Sequence, residues 1–159
     1  MTTRADLVTA LGNANVTAFL RAIRLGEGTS DDDGYRRIVG GQLFDDFSRH
    51  PRIRVWISRY SVFSTAAGAY QITFPTWTGL VSQYGFEDFS PNSQDQGAVA
   101  LIIEKHALDD VVSGDALNAA SLCANIWASL PASLAGQRKV SSDDFLAEYQ
   151  KWGGTVNAG

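Results

Sequence analysis

Between Tyr35 and Ile72 the chain changes texture, and that change limits the folds open to it more than any other feature. Arg37-Ile38-Val39, Leu43-Phe44 and Arg54-Val55-Trp56-Ile57 are short apolar runs rich in β-branched and aromatic residues, punctuated by Gly40-Gly41 and His50-Pro51. Such runs read as short strands joined by long loops. On either side the spacing is helical. Leu7, Val8 and Leu11 form a short stripe ending at Gly12, and Asn15 is placed to cap a helix carrying Val16, Phe19, Leu20 and Ile23 on one face. That helix runs to Glu27 and is expected to stop at Gly28. After Ile72 the pattern is helical again. Ser90-Pro91 opens a helix through Ala98–Ile103, further helices are expected over 115–127 and 141–152, and Ser141 with Asp144 resembles a capping box. Helices, a small irregular sheet, then helices again predict an α+β fold, mainly helical, with a cleft between lobes.

No repeat, low-complexity block or linker divides the 159 residues, so one domain is expected over 1–159, with residues 1–14 as an amino-terminal helical extension. The net charge of −4 and pI near 5.0 argue against a nucleic-acid partner, which would call for clustered Lys and Arg. No apolar run approaches the ~20 residues of a membrane span, and the opening MTTRADLVTALGNANVT has neither a basic n-region nor an unbroken apolar stretch, so no secretory leader is expected. The lone Cys123 excludes an internal disulfide, suits synthesis in a reducing cytoplasm and reads as a small core residue. His50 and His106 lie far apart, and Asp31-Asp32-Asp33 lacks the 12-residue spacing of a calcium loop. Neither a metal nor a cofactor is expected.

Three segments carry candidate chemistry. Glu27 falls at a helix carboxyl end, where the macrodipole and apolar surroundings both disfavour the carboxylate. An acid held protonated near neutrality is what glycosidic-bond cleavage needs. A lone carboxylate beside a helix cap is nonetheless more often a surface charge. The run Ser64 to Ile72 reads as a strand in which Ser64, Tyr70 and Gln71 border a sugar site, or equally as a strand with a buried tyrosine. In Cys123–Pro131, Asn125 offers hydrogen bonds and Trp127 a stacking face; the alternative is a buried helix end stopped by Pro131. Asp45 and Asp46 are the remaining possible second carboxylates and read better as solvated strand-end charges; His50 before Pro51 reads as a loop support.

Together these segments resemble the lambda-type phage lysozymes, a family of lytic transglycosylases. The resemblance runs from about Ala18 to Val156 through Gly26-Glu27-Gly28-Thr29, Ile38–Gly41 with Leu43-Phe44, Ser48 with His50-Pro51-Arg52, and Ser64-Thr65 with Gly68, Tyr70 and Gln71. It continues through Phe89-Ser90-Pro91 with Ser93-Gln94-Asp95, Asn125–Pro131 and Gly153–Val156. It implies a lysozyme-like fold, one essential glutamate at Glu27, and cleavage of the β-1,4 bond between N-acetylmuramic acid and N-acetylglucosamine in peptidoglycan strands with 1,6-anhydro ring closure. It further implies a monomer made in the host cytoplasm that reaches the wall after holin-type release, or is carried by a virion. A hydrolytic muramidase and a non-catalytic glycan-binding phage structural module are the competing readings. The sequence departs from the family at the short acidic loop 28–34, at Ala132–Gln137, where Ala135 replaces a tyrosine of a glycine-rich loop, and in its added first helix.

Overall fold

The structure, a computed structural model, describes residues 1–131 and 139–157. Seven helices lie among them: α1 Arg4–Leu11, α2 Ala14–Glu27, α3 Phe74–Tyr84, α4 Pro91–Glu104, α5 Leu108–Ser113, α6 Ala116–Cys123 and α7 Ser142–Lys151. The region between α2 and α3 holds an antiparallel hairpin, β1 Val55–Ile57 with β2 Val62–Ser64, paired Val55–Ser64, Trp56–Phe63 and Ile57–Val62. Isolated bridges Arg37–Leu43, Ile38–Ala67 and Ala67–Ile72 complete the irregular lobe. The predicted α+β order is the one observed. No described helix is long and apolar enough to cross a membrane.

Helix α2 is the element on which the site depends. Its N-cap is Asn13, whose side chain accepts from the N–H groups of Asn15 and Val16. This corrects the expectation for Asn15. Asn13 has the extended backbone a cap needs, whereas Asn15 is already helical; its side chain donates to Val112 O (3.0 Å) and accepts from Thr155 N–H (3.0 Å), fastening the carboxyl-terminal tail. Val16, Phe19, Leu20 and Ile23 are buried as predicted, and α2 packs chiefly on α7 and α5. The rings of Phe19 and Phe145 meet edge-on at 5.6 Å. Truncating Phe19 to alanine would remove a fully buried ring, a change that typically costs ~3–5 kcal/mol.

Four further departures are seen in the secondary structure. In α1 only Leu7 is buried and Val8 is exposed, so the stripe is narrower than expected; the full capping box forms there, at Thr3 and Asp6. At α7, Ser141 accepts from Asp144 N–H (3.1 Å), one half of the expected box. The helix expected over 115–127 ends at Cys123: Ile126 N–H and Trp127 N–H both turn back to Cys123 O, and the Trp127 indole N–H reaches Tyr70 O at 2.8 Å. That bond draws the segment across the β lobe, which a straight helix would leave behind. The strand expected from Ser64 stops there, and residues 68–71 form a turn.

Candidate active site

Helix α2 ends at the candidate acid. Glu27 is its last residue, and Gly28 takes the left-handed conformation (φ 74°) that reverses the chain; a side chain there would be strained. Thr29 then returns beneath the helix end. Its N–H bonds Arg24 O (3.0 Å), and its buried hydroxyl donates to Ala69 O (2.5 Å), tying α2 to the β lobe. Arg24, itself buried, donates from its guanidinium to Thr29 O and Asp31 O, both at 2.9 Å, and lies over the Tyr35 ring. The Glu-Gly-Thr triplet is thus an acid, a reversal and an anchor in sequence.

The Glu27 carboxyl is partly buried and accepts one hydrogen bond, from Ser129 Oγ–H to its Oε2 at 2.6 Å. Burial pushes its pKa up to about 7, and the Ser129 bond opposes that rise. Ser129 approaches so closely because residue 26 is glycine: a Cβ there would lie 2.5 Å from Ser129 Oγ. Glu27 opens onto a cleft of about 550 Å³ between the helix end, the 37–41 segment and the cleft-facing side of the hairpin. It is the sole carboxyl group among the described residues lining that cleft. A larger hollow of about 750 Å³ lies on the other flank, between Leu25–Gly28 and α7, but Glu27 does not line it. That hollow has carboxyls of its own, Asp144 and Glu148 of α7, whereas the smaller cleft holds the partly buried Glu27 whose pKa is raised.

The other candidate residues divide into three groups. Ser64 and Gln71 line the Glu27 cleft. Asn125 is exposed in an adjoining hollow of about 280 Å³ that shares Gln71 and Ile126 with it, so the two form one groove past the acid. Tyr70 and Trp127 border the adjoining hollow but are almost wholly buried. They are 2% and 1% exposed, the Tyr70 hydroxyl donates to Asp95 Oδ1 (2.6 Å) beside Tyr35 (2.8 Å), and the Trp127 indole is held by Tyr70 O. The stacking roles expected of them are corrected: a ring with one polar tip is well suited to burial when that tip finds a partner, and both do. Gln71 is also more constrained than expected. It sits at φ 49°, and its Nε2 donates to Arg37 O (3.0 Å) and Gly68 O (2.8 Å), so its amide nitrogen shapes the cleft wall.

The acidic residues around the cleft are otherwise engaged. Asp31 pairs with Arg37 (2.6 Å), Asp33 with Arg36 (3.5 Å), Asp45 with Arg36, and Asp46 accepts from Ser48 N–H. No group of three or more His, Cys, Asp or Glu among the described residues is arranged to hold a metal ion. His50 is buried; its Nδ1 accepts from Arg52 N–H (3.0 Å), which leaves the proton on Nε2, 2.8 Å from Ile72 O, and burial lowers its pKa. It supports the loop, as its place before Pro51 suggested. Ala135 lies outside the described residues. Ser129 is the residue that sequence reasoning missed: it lay in view two positions after Trp127, but nothing local ties it to a glutamate 102 residues away.

The sequence matches the model of the Endolysin family over residues 17–156. The endolysin of Escherichia phage lambda is 41% identical over 145 residues, covering 87% of this chain and 91% of that protein. The endolysin of Escherichia phage P2 is 38% identical over 154 residues, covering 88% and 93%. Among solved structures, bacteriophage lambda lysozyme complexed with a chitohexasaccharide superposes with a TM-score of 0.86 at 40% identity, covering 91% of this chain and 97% of that one. A further structure of lysozyme from bacteriophage lambda gives 0.83 at 39% identity with the same coverage. With matches that span nearly all of the sequence and the fold alike, the chain belongs to the endolysin family.

Proposed function

We propose that this chain cleaves the β-1,4 bond between N-acetylmuramic acid and N-acetylglucosamine as a lytic transglycosylase, with Glu27 as its only acid–base group. The single supporting observation is the cleft's lone carboxyl group, protonated near neutrality. Glu27 gives its proton to the glycosidic oxygen as the C1–O bond breaks. The resulting carboxylate takes the proton of the muramic C6 hydroxyl, whose oxygen bonds to C1 and closes a 1,6-anhydro ring. The enzyme ends protonated as it began, and no water is consumed. A retaining hydrolase would place a second carboxyl ~5–5.5 Å away, whereas Asp45 and Asp46 are engaged with Arg36 and Ser48 and do not line the cleft.

Ser64, Gln71 and Asn125 are assigned to the glycan, and Tyr70 and Trp127 to the floor beneath it. The relative's complex with a chitohexasaccharide supports an aminosugar chain in this groove. One buried core running from Leu7 to Tyr149 supports a single working domain, to which we assign the monomer as the acting form. The route assigned is cytoplasmic synthesis in the host and action on the wall after holin-type release. Mass spectrometry of digested peptidoglycan tests the reaction. Non-reducing 1,6-anhydromuropeptides are expected; reducing ends carrying solvent oxygen would make the enzyme a muramidase, and intact strands would leave only a binding module.

A further inference from the structure

The charges of this acidic chain are unevenly distributed. No Asp or Glu occurs between Asp46 and Glu87, and four of the chain's 13 Lys and Arg, Arg49, Arg52, Arg54 and Arg59, fall in that stretch. The hairpin is its centre. Strand residues alternate in direction, so Ile57, Val62 and Ser64 line the cleft while the Trp56–Phe63 pair points the other way. That outward face is unusually apolar. Trp56 and Phe63 are 52% and 54% exposed, their rings meet at 4.9 Å, and Ile53, just ahead of β1 in sequence, is exposed as well. The Arg54 guanidinium lies 4.2 Å over Phe63, and that of Arg52 4.5 Å over Phe74. Neither arginine forms a salt bridge among the described residues.

We propose that this outward face, Trp56, Phe63 and Ile53 with Arg52 and Arg54, docks the protein on an anionic lipid bilayer without crossing it. The headgroup boundary of such a bilayer takes aromatic rings and arginines at one depth. A soluble wall polyanion would use the arginines but leave the paired rings in water. The surrounding acidity gives the attraction a direction, since the rest of the molecule is repelled by the same surface. The glycan groove stays open during docking because it lies on the opposite side of the hairpin.

Co-sedimentation of the intact chain with phosphatidylcholine vesicles, with and without phosphatidylglycerol, tests this. Binding is expected only to the anionic vesicles and is expected to weaken as salt is raised. The Arg52→Gln/Arg54→Gln variant should bind about 30-fold more weakly, taking ~1 kcal/mol per arginine. Trp56→Ser/Phe63→Ser should also lose binding. Arg54→Glu leaves the aromatic pair in place and serves as the control should that double variant unfold. All three are expected to cleave soluble glycan strands at the wild-type rate. Equal binding to neutral vesicles, or binding unchanged by the arginine variants, would overturn the proposal. So would retention of anionic-vesicle binding by a folded Trp56→Ser/Phe63→Ser protein, which would mark a polyanion site. A matching loss of activity on soluble glycan would instead assign the face to the cleft. None of these readouts depends on whether the cleaved ends are anhydro or reducing.

Discussion

Ser129 and Glu27 stand 102 residues apart in sequence and 2.6 Å apart in space, with the hydroxyl donating to carboxyl Oε2. One oxygen is thereby occupied, which favours Oε1 as the carrier of the acid's proton. The bond also favours the ionised form, so it limits how far burial can raise the pKa. For the reaction proposed above, the pair balances an acid that is protonated at the outset against a carboxylate that exists once the proton has been given away.

Ser129→Ala is therefore expected to shift the pH–activity profile in a definite direction. With about 7 as the pKa of Glu27, wild-type activity should fall as pH rises through neutrality, along a single descending limb. Removing the hydroxyl removes a pKa-lowering contact, so the limb should move to higher pH. A limb that moves lower, or stays, would show that the bond does not tune the acid.

Glu27→Gln keeps the size of the side chain and loses the proton chemistry. General acid–base catalysis is worth ~10²–10⁴-fold, and one group serves both steps of the proposed reaction, so turbidity-clearing rates should fall at or beyond the upper part of that range. Stability should change in the opposite sense. A carboxyl raised from 4.5 to about 7 on folding leaves the fold unpenalised below pH 4.5, and folding stability is lost as pH rises from there through 7. The amide is free of that loss. Chemical denaturation should thus find the variant's advantage growing across that window to ~3 kcal/mol and level above it. A constant difference would place the carboxyl in water.

Thr29→Val tests the anchor. The shapes are close, but Ala69 O would lose a buried donor, which costs ~1–3 kcal/mol. Loss of activity beyond the loss of folded protein would show that the anchor also positions Glu27.

Gln71→Ala is expected to destabilise the protein as well as slow it, because Arg37 O and Gly68 O both lose the Nε2 donor. Gln71→Gly loses the same bonds yet relieves the positive φ, so it should be the more stable of the two by up to ~1 kcal/mol. The reverse order in thermal melts would mean that the backbone relaxes on substitution.

Cys123 is fully buried with its thiol pushed up to about 12 by burial. A thiol-specific reagent should leave the native protein unlabelled and modify it on unfolding, and activity should persist in reductant and in chelator. Rapid native labelling would show that α6 opens.

Where local chemistry decides, the sequence was sufficient. The apolar face of α2, the stop at Gly28, the Ser90 cap and the broken texture of residues 35–72 depend on spacing and residue type within a few positions. Where a distant partner decides, it was not. Tyr70 and Trp127 looked like sugar platforms until Asp95 and each other claimed their polar ends, and Asn15 resembled a cap until the tail at Thr155 claimed its side chain. The setting of Glu27 at a helix end was legible because it is local; its bond from Ser129 was not, because it is entirely tertiary.

The bond from Thr29 to Ala69 has a mechanical consequence. It fixes one margin of the groove two residues from the acid, so the helical and β parts cannot separate there without orphaning a buried carbonyl. At the far margin the strands of the hairpin pack chiefly on each other. The acid therefore sits at the tied side of the groove rather than at its free edge.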